Sequence, residues 1–156
     1  MSLQVKSTVR PPKVFWSPVV HVIDLPAVAA NTALPSVVVS GLPTDCLIGK
    51  VIPRVKVRAI ENTNAGGDNA IFGAQNIQVR KGAGAWAAAI NMVDNQWTVP
   101  ASTKESGDVL IGDNDLKATV DGDATYNFQF ANARVDLANL RLHEVMVGLE
   151  FSFSTS

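Results

Sequence analysis

From Ser36 onward the chain breaks into short apolar runs separated by turn residues. SVVVSGL, KVIPRVKVRAI, AIFGAQNIQVRK, AWAAAINMV, DVLI, LKATV, ATYNFQF and EVMVGLEFSFS have strand-like lengths, and GLPTD, ENTNAGGDN, KGAGA, VDNQ, IGDND and DGD stand between them. In ATYNFQF, Tyr126, Phe128 and Phe130 share one face while Thr125, Asn127 and Gln129 share the other. The last run repeats the pattern, with Val145, Val147, Leu149, Phe151 and Phe153 on one side and Glu144, Glu150 and Ser152 on the other. A period of two with one wet face predicts antiparallel sheets packed face to face. Helix competes only at AWAAAINMV and ARVDLANLRLHEV, which are short and poorly capped. One or two helical turns are expected at most, near Asp136 to Leu140.

The fold class expected is therefore all-β: an antiparallel, jelly-roll-like β-sandwich of about eight strands over residues 34–156. An immunoglobulin-like sandwich is less consistent, because the paired cysteines around a core tryptophan are missing. Residues 1–33 read as an extended N-terminal arm and lead-in segment. Lys6, Arg10, Pro11, Pro12 and Lys13 show little apolar periodicity, and VFWSPVVHVIDLP is broken by Pro18 and Pro26, which suits an extended edge.

Composition bounds this picture without choosing a partner. The chain has 156 residues, 47% of them apolar and 17% charged, with a formal charge of −1. That is one domain's worth of core, neither basic enough to predict nucleic-acid binding nor acidic enough to predict disorder. One cysteine, Cys46, cannot make an internal disulfide, and the opening MSLQVKSTVRPPK has no apolar core of signal-peptide length, so synthesis in a reducing cytoplasm is expected. No membrane span is expected, since even Val19 to Ala30 carries His21, Asp24 and Pro26.

Candidate chemistry is sparse. There is no HExxH, GxSxG or Walker-type loop, and only two histidines, His21 and His143. His143 and Glu144 are strand neighbours and point to opposite faces, which excludes them as a dyad. No base or cation close in sequence would lower the Cys46 pKa, so it reads as an inert thiol. Arg54, Lys56 and Arg58 alternate with Val55, Val57 and Ala59, placing three cations on one strand face that must be solvated or paired with acidic groups on a partner. Three charges are too few for nucleic acid. Asn62, Asn64 and Asn69, with Trp97, form a possible ligand loop suited to sugar, though asparagines suit turns equally well. Asp113, Asp115, Asp121 and Asp123 in IGDNDLKATVDGD depart from EF-hand spacing. If LKATV is a strand, its two ends lie about 17 Å apart, so turn chemistry is expected and no metal or other cofactor.

ALPSVVVSGLP, NIQVRKGAGAWAAAI, TYNFQF and the terminal GLEFSFS together resemble the small jelly-roll decoration or cement proteins of tailed viruses. The resemblance covers Leu34 to the C-terminus and implies a non-enzymatic protein of a bacteriophage virion, made in the host cytoplasm. It also implies a homotrimer that binds the major capsid protein. Arg10, Lys13, Trp16, Arg54, Lys56 and Arg58 are the residues expected to contact that partner, with no role for nucleic acid or membrane. The alternative is a carbohydrate- or receptor-binding module using Trp97 and the 61–69 loop. A cupin-like enzyme is the third reading, and it lacks the clustered histidines such a site needs.

Overall fold

The computed structural model describes residues 10–26, 31–64, 66–73, 76–92, 96–131 and 139–155, apart from the Trp97 side chain. Among these residues there are twelve strands: β1 (Lys13–Trp16), β2 (Val20–Leu25), β3 (Thr32–Val39), β4 (Leu47–Asn62), β5 (Ala70–Phe72), β6 (Asn76–Lys81), β7 (Ala87–Ile90), β8 (Trp97–Val99), β9 (Lys104–Ser106), β10 (Val109–Ile111), β11 (Ala124–Ala131) and β12 (Leu140–Ser154). Residues 132–138, which include most of the segment expected to turn helically, lie outside the described residues. Leu140 already begins β12.

Two sheets face each other. In sheet A the order is β1-β12-β4-β10, with β2 also on β12 and β9 also on β4; in sheet B it is β3-β11-β6-β7. β5 and β8 form a separate two-stranded ribbon. β1 and β2 occupy successive stretches along β12, and β10 and β9 do the same along β4. With each of these pairs taken as one position and the small ribbon set aside, eight positions remain. The first pairs with the last (β1/β2 with β12), the second with the seventh (β3 with β11), the third with the sixth (β4 with β9/β10) and the fourth with the fifth (β6 with β7), all antiparallel. The chain is thus one long double-stranded ribbon folded over on itself, which is jelly-roll wrapping.

Membership of the eight positions differs from the expectation at two places. The segment read as a lead-in supplies β1 and β2, so residues 13–25 form the edge of sheet A. LKATV, expected as a strand, is a turn: Thr119 and Val120 N–H groups donate to the Leu116 carbonyl at 2.9 and 2.7 Å. Leu116 and Val120 are the buried pair there, and their spacing of four is helical rather than alternating. AWAAAINMV, in contrast, contributes a strand at Ala87–Ile90.

The core lies between the sheets. Tyr126, Phe128 and Phe130 from sheet B meet Val145, Val147, Leu149 and Phe151 from sheet A, all buried as the alternation requires. Each such side chain contributes about 1.5–3 kcal/mol on burial. A crease crosses sheet A where three strands change phase together. β12 turns Leu142 and then Val145 inward, β4 turns Ala59 and then Ile60 inward, and β2 leaves both His21 and Val22 outside. Glu144 carries the change in β12 with a φ of 50°, a backbone region that non-glycine residues seldom occupy.

Candidate partner-binding face

Because Val55, Val57 and Ala59 of β4 are buried in the core, Arg54, Lys56 and Arg58 project from the outer face of sheet A. Register then sets what lies beside them. Trp16 of β1 stands opposite Gly148 of β12, Gly148 opposite Arg54, and Arg54 opposite Ile111 of β10. Directly opposed residues of an antiparallel ladder share a face, so these four form one row across the sheet. The next row is Met146, Lys56 and Val109. Gly148 is what lets the tryptophan lie down: a Cβ there would stand 2.8 Å from both Cε3 and Cζ3 of the indole. Trp16 is nonetheless 41% exposed, Ile111 50% and Val109 37%.

The basic strand, expected to be solvated or paired with acids on a partner, meets two acids within its own sheet. Arg54 Nη2 donates to Glu150 Oε2 at 2.8 Å, and Arg58 Nε pairs with Glu144 Oε2. Such part-exposed pairs contribute at most about 1 kcal/mol each. Lys56, lying between them, makes no ion pair or hydrogen bond among the described residues, and the buried Arg54 Nε also lacks a hydrogen-bond partner there. Among the described residues the face therefore presents one uncompensated cation beside an indole, a thioether and two branched aliphatics. Aromatic, Met and Arg side chains are those enriched where protein interfaces bury their centres.

Arg10 and Lys13, also expected to contact the partner, gather elsewhere. The Arg10 guanidinium makes two bonds to the Asp45 carboxylate, 3.1 Å from Nε and 2.6 Å from Nη2, and holds that carboxyl below its ordinary range. Lys13 Nζ lies 4.7 Å from the Phe15 ring centroid. With Leu42, Pro43 and Phe153 these two residues line a groove of about 640 Å³ beside the 41–45 loop. Trp16, Arg54, Lys56 and Arg58 are thus brought together, and Arg10 and Lys13 form a separate cluster.

The asparagine loop is largely committed to its own backbone. Asn62 is buried; its Nδ2 donates to the Asp68 and Val99 carbonyls at 3.0 Å each, and its Oδ1 accepts from the Asn64 N–H at 2.9 Å. Asn64 Oδ1 accepts from Gly66 N–H and Asn69 Oδ1 from Ala101 N–H. Trp97 is in β8 opposite Phe72, and its side chain lies outside the described residues.

The aspartates do more than shape their own turns. Asp115 Oδ1 accepts from Val51 N–H of β4 as well as from Lys117 N–H, and Asp123 accepts from Gly41 and Leu42 N–H, so both tie one segment to another. Burial pushes Asp115 up, but the two amides together with the Lys117 and Lys50 charges outweigh it and hold the carboxyl below its usual range. Asp121 pairs with Lys81 Nζ at 2.7 Å. His143 Nε2 meets Glu61 Oε1 at 2.9 Å, its partner coming from β4 rather than from the adjacent Glu144. His21 is exposed. Cys46 is half-buried and lines a groove of about 740 Å³ with Leu42, Pro43 and Ile48. Among the described residues no three His, Cys, Asp or Glu side chains gather as metal ligands would, and no helix is long and apolar enough to cross a membrane.

Sequence reading missed Met146, Val109 and Ile111 as members of the exposed face. Glu144 and Glu150 carried a usable signal, since they alternate on the wet side of β12 as the cations do on β4.

No protein-family model and no curated protein matches the chain. Over 88% of its length it is similar to the enzymatically active domain of tailspike protein 4 of bacteriophage CBA120, at 15% identity and a TM-score of 0.40, spanning 19% of that chain. Over 98% of its length it is similar to a chain in a structure of infectious bursal disease virus, Gx strain, at 9% identity and a TM-score of 0.24, spanning 44% of that chain.

Proposed function

We propose that this chain is a non-enzymatic structural protein of a virus particle, a decoration protein that stabilises a capsid by laying the outer face of sheet A on the shell. The observation that carries this reading is the row Trp16, Gly148, Arg54, Ile111. It is a strip with an indole at one end and an isoleucine at the other, bridged by a glycine and an ion-paired arginine, crossing four strands of a sheet whose other face is already committed to the core. Lys56 adds a cation unpaired among the described residues, which suits an acidic position on the partner. The protein acts as an oligomer, a homotrimer in the form its sequence resemblance implies, and contact between copies covers the sheet edges at β1 and β10. Its place is the virion, after synthesis in the host cytoplasm, and its partner is the major capsid protein. The competing carbohydrate reading at Asn64, Asn69 and Trp97 would have to work without Asn62, whose amide is used inside the fold.

The test is direct. Particles of the virus that encodes this chain are purified and analysed by mass spectrometry, and the recombinant chain is sized by sedimentation and co-sedimented with particles stripped of it. The chain is expected in the particles and as an oligomer in solution. Trp16→Ala is expected to weaken rebinding about thirtyfold, as loss of a hot-spot tryptophan does. Absence from the particles, or a monomer that fails to rebind, would overturn the reading.

A further inference from the structure

The outer face of sheet B carries a surface of a different kind. With Tyr126, Phe128 and Phe130 of β11 and Ile77 and Val79 of β6 turned inward, Asn127, Gln129, Gln78 and Arg80 lie on the other face, where Asn127, Gln78 and Arg80 are part-exposed and Gln129 keeps only 9% of its surface in solvent. Register places them in two rows. One runs Ala33, Gln129, Gln78, Ala88; in the other, Asn127 stands opposite Arg80 and accepts a 2.6 Å hydrogen bond from Ser36 Oγ. Trp86, just before β7, lies against Arg80, with the guanidinium carbon 4.4 Å from the ring centroid. Ala33, Ser36, Arg80, Trp86, Asn127 and Gln129 line a shallow groove of about 310 Å³, and Gln78 flanks it as the cross-strand neighbour of Gln129.

Arg80 is the exception among the described arginines. Arg10, Arg54, Arg58 and Arg141 each hold a carboxylate: Asp45, Glu150, Glu144 and Asp24. Among the described residues Arg80 holds none and its guanidinium makes no hydrogen bond, with Nε buried. A guanidinium stacked on an indole is held in one plane, weakly hydrated, and presents its nitrogens as a fork that matches a carboxylate. The amides beside it are also held. Asn127 Nδ2 donates to the Gly82 carbonyl at 2.7 Å, and Gln129 Nε2 donates to Gln78 Oε1 at 2.9 Å. That second bond leaves Gln129 Oε1 as an acceptor and Gln78 Nε2 as a donor without partners among the described residues. The rows lie two residues apart along their strands, about 7 Å, which is the scale of one sugar ring with its substituents.

We infer that this groove binds an acidic saccharide, the sugar carboxylate taking the Arg80 fork and its hydroxyls bridging Gln129 and Gln78. A peptide carboxylate would satisfy Arg80 but leave the glutamine row unused, and a neutral sugar would leave the arginine unpaired. The site is on the opposite side of the sandwich from Trp16 and Lys56, so it stands whether or not sheet A docks on a shell.

The intact chain is applied to a glycan array carrying uronate-containing, sialate-containing and neutral oligosaccharides, and a short peptide with a free C-terminal carboxylate is titrated in parallel. Acidic glycans are expected to be retained and neutral ones not, with at least about tenfold loss when the sugar carboxyl is reduced to an alcohol. Arg80→Gln should abolish retention, Arg80→Lys should weaken it by keeping charge without the fork, and Gln129→Leu should weaken it while Lys56→Gln leaves it unchanged. Circular dichroism melts confirm that each variant is folded. Retention of no acidic glycan above the neutral ones, retention unaffected by Arg80→Gln or lost equally with Lys56→Gln, or binding of the peptide alone would overturn the proposal.

Discussion

Replacing Gly148 with alanine adds one methyl group at the centre of the proposed docking face. That Cβ would stand 2.8 Å from two atoms of the Trp16 ring and 3.1 Å from a third. Ordinary carbon contact begins near 3.5 Å, so the indole must move away by about 1 Å or leave its seat. Trp16 is 41% exposed, so a little over half of its surface is covered. At roughly 25 cal/mol per Å² and about 250 Å² for a tryptophan, the seat is worth at most about 3–4 kcal/mol. Partial loss plus the local strain predicts a destabilisation of about 1–3 kcal/mol. In a chain of this length that is a fall in melting temperature of about 3–10 °C. The assay pairs a thermal melt with fluorine NMR of 5-fluorotryptophan-labelled protein, in which Trp16 is assigned by its loss in Trp16→Phe. The Trp16 resonance should shift toward its solvent-exposed position while the other two stay. Rebinding to particles should weaken along with it. An unchanged Trp16 resonance and an unchanged melting temperature would refute the row as drawn.

Gly107→Ala should destabilise by about 2–3 kcal/mol or more, because its Cβ would lie 1.9 Å from the Val57 carbonyl oxygen, whereas Gly122→Ala, which meets nothing within 4 Å, should be neutral or slightly stabilising; melting temperatures of the two variants check this. Asn62→Ala removes the donor of two hydrogen bonds and the acceptor of a third in a buried position and should cost about 2–4 kcal/mol, read from urea unfolding. Asp115→Asn keeps an acceptor but drops the charge. Since the folded carboxyl is held below its unfolded value of about 3.9, its contribution is present above that pH and is lost as pH falls through the folded value. Asp115→Asn should therefore melt lower than the parent at pH 7, and the gap should close toward pH 2–3 in melts across that range.

The alternation of Val55, Val57 and Ala59 with Arg54, Lys56 and Arg58 was legible along the chain, and so was the inward set of β11 and most of β12. The turn at Leu116 to Val120 was not, because a five-residue apolar segment has the same composition whether its buried residues are two or four apart. Nor were the partners of the cations. Glu144 and Glu150 are some ninety residues away from Arg58 and Arg54, and only the β4–β12 register makes them neighbours. The proline-broken segment before residue 26 read as extended, yet its role as the first position of the wrapping depended on finding β12.

By itself the sequence determined which side of β11 and of most of β4 and β12 is turned from the core, since that follows from a period of two and the apolarity of single residues. Only the tertiary structure decided which of these residues stand together: Trp16 on Gly148 beside Arg54, and Arg80 on Trp86. The physical reason is that facing is a property of successive peptide units, while neighbourhood across a sheet is set by hydrogen-bond register between segments far apart in the chain.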